Sequence, residues 1–257
     1  MEYLHGGRVN QIVRSGAVVH RPAGFWSPSV HLLLNHVRNA GFCAVPEPFG
    51  FDADGNEVLS FVAGEVSNYP YSEAAISEEA LVTAAQLLRD YHVASASFLD
   101  IAPADLVWML PSQEPAEVIC HGDFAPYNVV LDGCRAVAII DFDTAHPGPR
   151  VWDVAYALYR WSPFHSPDNP DGWGDFDSQL SRARRFCDAY RLPVKDRTTI
   201  VDVMIARLHA LVHVMREQAA AGNETFQAHM ADGHHLAYFN DIEHINQRRQ
   251  QIIRALQ

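Results

Sequence analysis

The chain is almost free of lysine: Lys195 is the only one among 257 residues, in a polar stretch well past the middle, while arginines occur throughout. Any phosphate anchor elsewhere must therefore be a guanidinium, which stays charged and can fork onto two oxygens. Cysteine is scarce too. Cys43, Cys120, Cys134 and Cys187 are scattered with no CxxC pair and no metal-ligand spacing, which argues against a zinc ribbon and a disulfide framework. No run of eighteen apolar residues occurs, and the opening MEYLHGGRVN lacks the basic-then-apolar pattern of a secretion signal, so a cytoplasmic protein with no membrane partner is expected. Positive charge is short overall. A formal net charge of −12 disfavours nucleic acid as a partner, because binding a phosphate backbone needs clustered Lys and Arg, and it favours a cationic ligand.

What is present is the composition of a globular protein, 48% apolar and 19% charged, with length for one large or two modest domains. Residues 11–15 and 17–22 read as two short strands around Gly16. Ser27 and Pro28 have the N-cap and N1 pattern of a helix that carries Val30, Leu33, Leu34 and Val37 on one face and ends at Gly41. Residues 57–62 form a further strand after the Asp54-Gly55 turn signal. Periodicity breaks between Ala63 and Pro70, which predicts an N-terminal lobe of residues 1–64 and a mainly helical lobe of residues 65–257. In the second, Ser77 caps a helix with the stripe Ala80, Leu81, Ala84, Leu87, Leu88 and Tyr91, and another stripe runs from Ile200 to Met215.

Residues 118–143, VICHGDFAPYNVVLDGCRAVAIIDFD, have a different texture. Two short apolar runs flank Asp132-Gly133, a hairpin signal, so residues 121–128 should form a loop feeding a hairpin whose second strand ends at Asp141. Phosphoryl transfer asks for positioning and charge neutralisation: a carboxylate near the acceptor hydroxyl, and hard oxygen ligands for magnesium. Asp123 could orient or deprotonate a hydroxyl, Asn128 could bind magnesium through its amide oxygen, and Asp141 could bridge the metal.

His121-Gly122-Asp123, Asn128 five residues after the aspartate, and Ile140-Asp141-Phe142-Asp143 after the hairpin resemble the catalytic segment of the aminoglycoside phosphotransferase and choline kinase superfamily, and also the protein-kinase pattern. The resemblance implies a bilobal protein-kinase-like α+β fold, with a small sheet lobe and a larger helical one. It implies ATP or GTP with Mg2+ as cofactors, Asp123 as catalytic base, and Asn128 and Asp141 as metal ligands. His121 then supports the loop. Asp143 is left open as a supporting metal partner, a substrate contact or a solvated carboxylate. Asp153 is similar to an aspartate that braces the loop, or is a plain helix N-terminal acid. Gly6, Gly7 and Asn10 look like the turn that covers the nucleotide. Residues 57–62 would be the edge strand that meets adenine, with Ser60, Phe61 and Val62 nearest.

The pattern departs from the family at one point. The strand lysine is replaced by Arg21, and the helix from Ser27 to Ala40 contains no acid to pair with it, so either arginine grips phosphate alone or a carboxylate from elsewhere substitutes. The acceptor is expected to be small and cationic, contacted from Trp161, Phe164, Asp168, Asp171, Trp173, Asp175 and Asp177 or from Asp232, His234, His235, Asp241 and Glu243. Residues 161–177 also read as a solvent loop followed by a helix cap. An aminoglycoside-like acceptor is the first expectation, choline, an amino alcohol or a sugar the alternative, and an inactive kinase-like binding module the different-class alternative. A monomer or weak homodimer is expected.

Overall fold

In the computed structural model of the protein, the structure describes residues 2–4 and 12–257; Gly6, Gly7 and Asn10, the expected nucleotide-covering turn, lie outside these. The chain divides into two compact units, Met1–Asp153 and Val154–Gln257.

The first unit opens with β1 (Glu2–Leu4), β2 (Ile12–Ser15), β3 (Val18–Pro22), α1 (Ser27–Asn39), β4 (Pro48–Phe51) and β5 (Asn56–Ser60). The strands form one antiparallel sheet in the order β1-β2-β3-β5-β4. β5 is therefore interior, and the edge position expected for residues 57–62 belongs to β4. Pro48 and Gly50 hide β4 from propensity, since both are poor strand formers. α1 buries Val30, Leu33, Leu34 and Val37 as its periodicity requires. Its cap differs from expectation. Trp26 occupies the N-cap without a side-chain bond, and Ser27 turns back to accept from the Gly24 N–H at 3.0 Å.

Beyond the sheet, Gly64 adopts φ +138° where a Cβ would lie 2.6 Å from the Leu131 carbonyl oxygen, so the chain can pass this point only as glycine. Glu65 then exchanges two backbone hydrogen bonds with Leu131, at 2.9 and 2.8 Å. The change from sheet to helix at residues 64–65 falls inside the first unit. α2 (Glu73–Ile76), α3 (Glu78–Ala96) and α4 (Phe98–Ile101) follow. Ser77 caps α3 by accepting from the Ala80 N–H at 3.1 Å, and Ala80, Leu81, Ala84, Leu88 and Tyr91 are buried. That face packs on β6 (Val118–Cys120) and on β8 (Arg135–Ile139), the partner of β7 (Val129–Asp132) in a hairpin. β6 pairs with β9 (His146–Gly148). The hairpin forms as expected, but β8 stops at Ile139 because Asp141 takes the left-handed conformation, φ 63° and ψ 67°.

α5 (Arg150–Trp161) runs across the division into the second unit, which is completed by α6 (Phe176–Tyr190), α7 (Val194–Ala220), α8 (Glu224–Ala231), α9 (His234–Gln247) and α10 (Arg249–Leu256). By length and composition α7 could cross a membrane. One face of it, Ile200, Val201, Met204, Leu208, Val212 and Met215, is buried, and it packs with α8, α9 and α10.

Leu88 sits wholly buried under the sheet-side packing of α3. Leu88→Ala should lower stability by about 2–5 kcal/mol, measured as a lower urea midpoint at unchanged slope.

Candidate active site

The loop after β6 is held by a buried carboxylate. Asp153, fully buried in the first turn of α5, accepts from the His121 N–H at 2.6 Å, the Gly122 N–H at 3.0 Å and His92 Nε2 at 3.0 Å. Burial by itself would raise this carboxyl. The hydrogen bond from His92, with those of the loop N–H groups, outweighs it and holds Asp153 down at about 2. His92 is pushed down by its own burial, so a neutral imidazole donates to an ionised carboxylate. Gly122 sits at φ +83°, where a Cβ would lie 2.3 Å from the Thr144 carbonyl oxygen, so this loop tolerates no side chain there.

His121 ties the loop to the residues after β8. Its Nε2 donates to the Ile140 carbonyl at 2.9 Å, which fixes the tautomer and leaves Nδ1 to accept from the Asp123 N–H at 3.3 Å. The Asn128 amide donates through Nδ2 to the Asp123 backbone oxygen at 2.9 Å and to Asp123 Oδ2 at 3.0 Å. Tyr127 donates its phenol to Asp123 Oδ1 at 2.7 Å. The Ile140 N–H donates to the Asn128 carbonyl at 3.0 Å, so Asn128 is pinned beside the residue that precedes Asp141. Hydrogen bonds thus join Asp123 to Asn128 and Asn128 to Ile140, the residue that precedes Asp141 in the chain.

Arg21, on β3, reaches the same place. Its Nη1 donates to Asp141 Oδ1 at 2.8 Å and its Nη2 to Asp143 Oδ1 at 2.5 Å, while Nε donates to Glu57 Oε1 at 2.6 Å. Burial opposes the charge of Arg21, but Asp143, Asp141 and Glu57 together more than offset it and raise its pKa above the ordinary value. Burial pushes the Asp143 carboxyl up to about 6 against the pull of Arg21, with Asp141 adding repulsion. The carboxylate missing from the helix is supplied by β5: Glu57 is 1% exposed, and its Oε2 accepts from His31 Nε2 of α1 at 3.0 Å.

Glu57, His31, His92 and Tyr127 were not singled out in the sequence. A signal existed for Glu57. It shares the buried face of β5 with Leu59, and an acid on a core-facing strand position needs a cationic partner. Ser60 and Phe61 donate their N–H groups to Glu47 and Ala17 carbonyls, both at 2.8 Å, so those two amides are committed within the sheet lobe. The Phe61 ring lies under Arg14 at 3.6 Å, and Val62 follows in the segment that leaves the sheet.

In the second unit the expected acceptor residues sort by burial. Trp161 and Phe164 are core. Asp241 is fully buried and anchors the preceding loop, accepting from Tyr159 Oη at 2.7 Å, the Ser166 N–H at 2.6 Å and Asn169 Nδ2 at 2.8 Å. Asp175 caps α6 by accepting from the Ser178 N–H at 2.8 Å. These four have structural occupations. Asp168, Asp177, Asp232 and Glu243 face solvent. Among the described residues no group of three or more His, Cys, Asp or Glu is arranged to hold a metal ion. A magnesium ion held by one amide oxygen, one or two carboxylates and substrate phosphates needs no such group, and Asn128 and Asp141 supply the hard oxygens it prefers.

Residues 98–190 match the phosphotransferase enzyme family. Over 238 residues the chain is 32% identical to the trifolitoxin immunity protein of Rhizobium leguminosarum bv. trifolii, covering 89% of this chain and 87% of that one. In structure it is similar to a choline/ethanolamine kinase family protein from Mesorhizobium loti, with a TM-score of 0.65 at 17% identity over 99% of this chain and 91% of that one. It is also similar to an amicoumacin kinase in complex with AMP-PNP, Ca2+ and Ami, with a TM-score of 0.58 at 12% identity over 87% of this chain and 88% of that one. The resemblance carried by His121 to Asp143 and the bilobal kinase-like α+β fold both hold.

The His121 N–H binds one oxygen of Asp153 and the Gly122 N–H the other, so Asp153→Asn turns an NH2 group onto one of these two donors and should cost about 2–4 kcal/mol at neutral pH. The wild-type carboxyl titrates at about 2 in the folded chain against 3.8 in the unfolded one, so its stabilisation is present above 3.8 and fades as pH falls toward 2. Urea unfolding of both proteins across that range should show their difference shrinking toward acid.

Proposed function

We propose that this chain, which belongs to the phosphotransferase enzyme family and is a phosphotransferase acting on a small-molecule hydroxyl, moves the γ-phosphoryl group of ATP or GTP onto a cationic, aminoglycoside-like antimicrobial. The observation that carries this reading is the hydrogen-bonded run Asp123–Asn128–Ile140 leading into Asp141, with Arg21 at its end.

Asp123 takes the proton of the acceptor hydroxyl as the oxygen attacks the γ-phosphorus and the nucleoside diphosphate leaves. Tyr127 and Asn128 each donate to one of its carboxylate oxygens and so fix its plane before the acceptor arrives. Asn128 turns its NH2 to Asp123, so its oxygen is the end that faces a cation, and with Asp141 it would hold magnesium. The metal, when bound, supplies charge neutralisation on the phosphate oxygens. Arg21 adds a permanent cation with two terminal donors of the geometry that phosphate accepts.

The antimicrobial acceptor is supported by the 32% identity to a protein named for immunity to trifolitoxin, and its positive charge by the net charge of −12. An amino-alcohol acceptor is the second reading, favoured by the likeness in fold to a choline/ethanolamine kinase family protein.

Phosphate transfer measured over panels of aminoglycosides and amino alcohols separates the readings: turnover confined to the aminoglycosides supports the first, and turnover confined to amino alcohols supports the second. Nucleotide binding without turnover of any would make the chain an inactive binding module. Asp123→Ala should lower the rate by at least about a thousandfold while nucleotide affinity stays near wild type. Unchanged turnover in that variant removes Asp123 from the mechanism.

A further inference from the structure

We infer that Glu57 and His31 are positioning residues for the phosphate-binding arginine, a strand carboxylate and a helix histidine acting together where the helix offers no acid. This rests on the function proposed above for Arg21.

Arg21 and Glu57 are direct cross-strand partners in the β3–β5 register, and Phe51 is the partner of Glu57 on β4. The His31 ring stacks on Phe51 with centroids 4.7 Å apart and planes 10° from parallel. The histidine is thereby held flat against the Phe51 ring with Nε2 bonded to Glu57. Both Glu57 oxygens are consequently assigned, one to His31 and one to Arg21 Nε.

A guanidinium has five N–H groups in one plane, so binding Nε fixes the direction of the other two nitrogens. In this structure those nitrogens address Asp141 and Asp143, the acidic ends of the segment that would carry metal and phosphate. Glu57 itself is too deeply buried to touch a ligand. Its only route to the nucleotide is through the orientation of Arg21, which makes it a positioning residue rather than a binding one. His31 acts one step further back, by holding Glu57 in the rotamer that meets Nε.

The test is a double-mutant cycle on binding of Mg-ATP by titration calorimetry, with thermal unfolding of every protein. Glu57→Gln keeps the shape and one acceptor for Nε but loses the charge, and should weaken Mg-ATP about tenfold at temperatures where thermal unfolding shows the variant still folded. Arg21→Ala should weaken it more. The double variant should bind no more weakly than Arg21→Ala alone, because Glu57 acts only through the arginine. Additive losses, or a Glu57→Gln protein that binds as wild type, overturn the inference.

Should Glu57→Gln fail to fold, His31 carries the same test. His31→Ala should weaken Mg-ATP about threefold, His31→Gln should restore it by donating to Glu57, and neither should matter once Arg21 is alanine. A lower Tm at unchanged affinity would show a purely structural role and overturn the inference too. Failure of wild type to bind Mg-ATP refutes the functional reading, and this inference with it, whereas normal wild-type binding with additive losses refutes this inference alone.

Discussion

Most of the site geometry depends on one carboxylate that never meets a ligand. Asp153 gathers two successive backbone N–H groups and a neutral histidine in a space closed to water, where an unmatched donor or charge would cost several kcal/mol. Because its partners are the N–H groups of His121 and Gly122, the loop leaves β6 in one conformation only. His121 then reaches Ile140, Asn128 reaches Asp123, and the positions of the chemically active groups follow.

The charges around Arg21 obey a different constraint. One guanidinium faces Glu57, Asp141 and Asp143, so full ionisation of all three leaves an excess of negative charge in a half-buried place. Burial, with the repulsion of Asp141 behind it, raises the Asp143 carboxyl and so eases part of that excess. A divalent cation would be another, and a larger one. The arrangement is short of positive charge in the way a site for a metal-bound nucleotide should be, while Glu57 is already satisfied by its strand neighbour and by His31.

How much of this was legible in the sequence varies with the range of the interaction. The loop and hairpin were readable because His121, Asp123, Asn128 and Asp141 lie close together in the chain, and a turn signal at Asp132-Gly133 separates the apolar runs. The burial of α1 and α3 followed from their apolar spacing. Arg21 stood out only because lysine was missing. Its partner Glu57 is 36 residues away on a strand whose place in the sheet depends on β4, an element hidden by Pro48 and Gly50, so the pairing could not be read locally. Ser27 resembles a cap in the sequence because Pro28 suits the first turn equally well one position later, and Asp241 resembles a rim acid because nothing in its own helix announces the loop that buries it.

The use of arginine on β3 has a chemical consequence of its own. A guanidinium remains protonated under conditions in which an amine becomes a nucleophile, so acylating reagents that modify primary amines have no side-chain target in the first unit. Lys195, at the start of α7, is the single lysine such a reagent could tag. Covalent mapping around Arg21 would have to proceed through dicarbonyls selective for arginine or through carbodiimide coupling to the neighbouring acids.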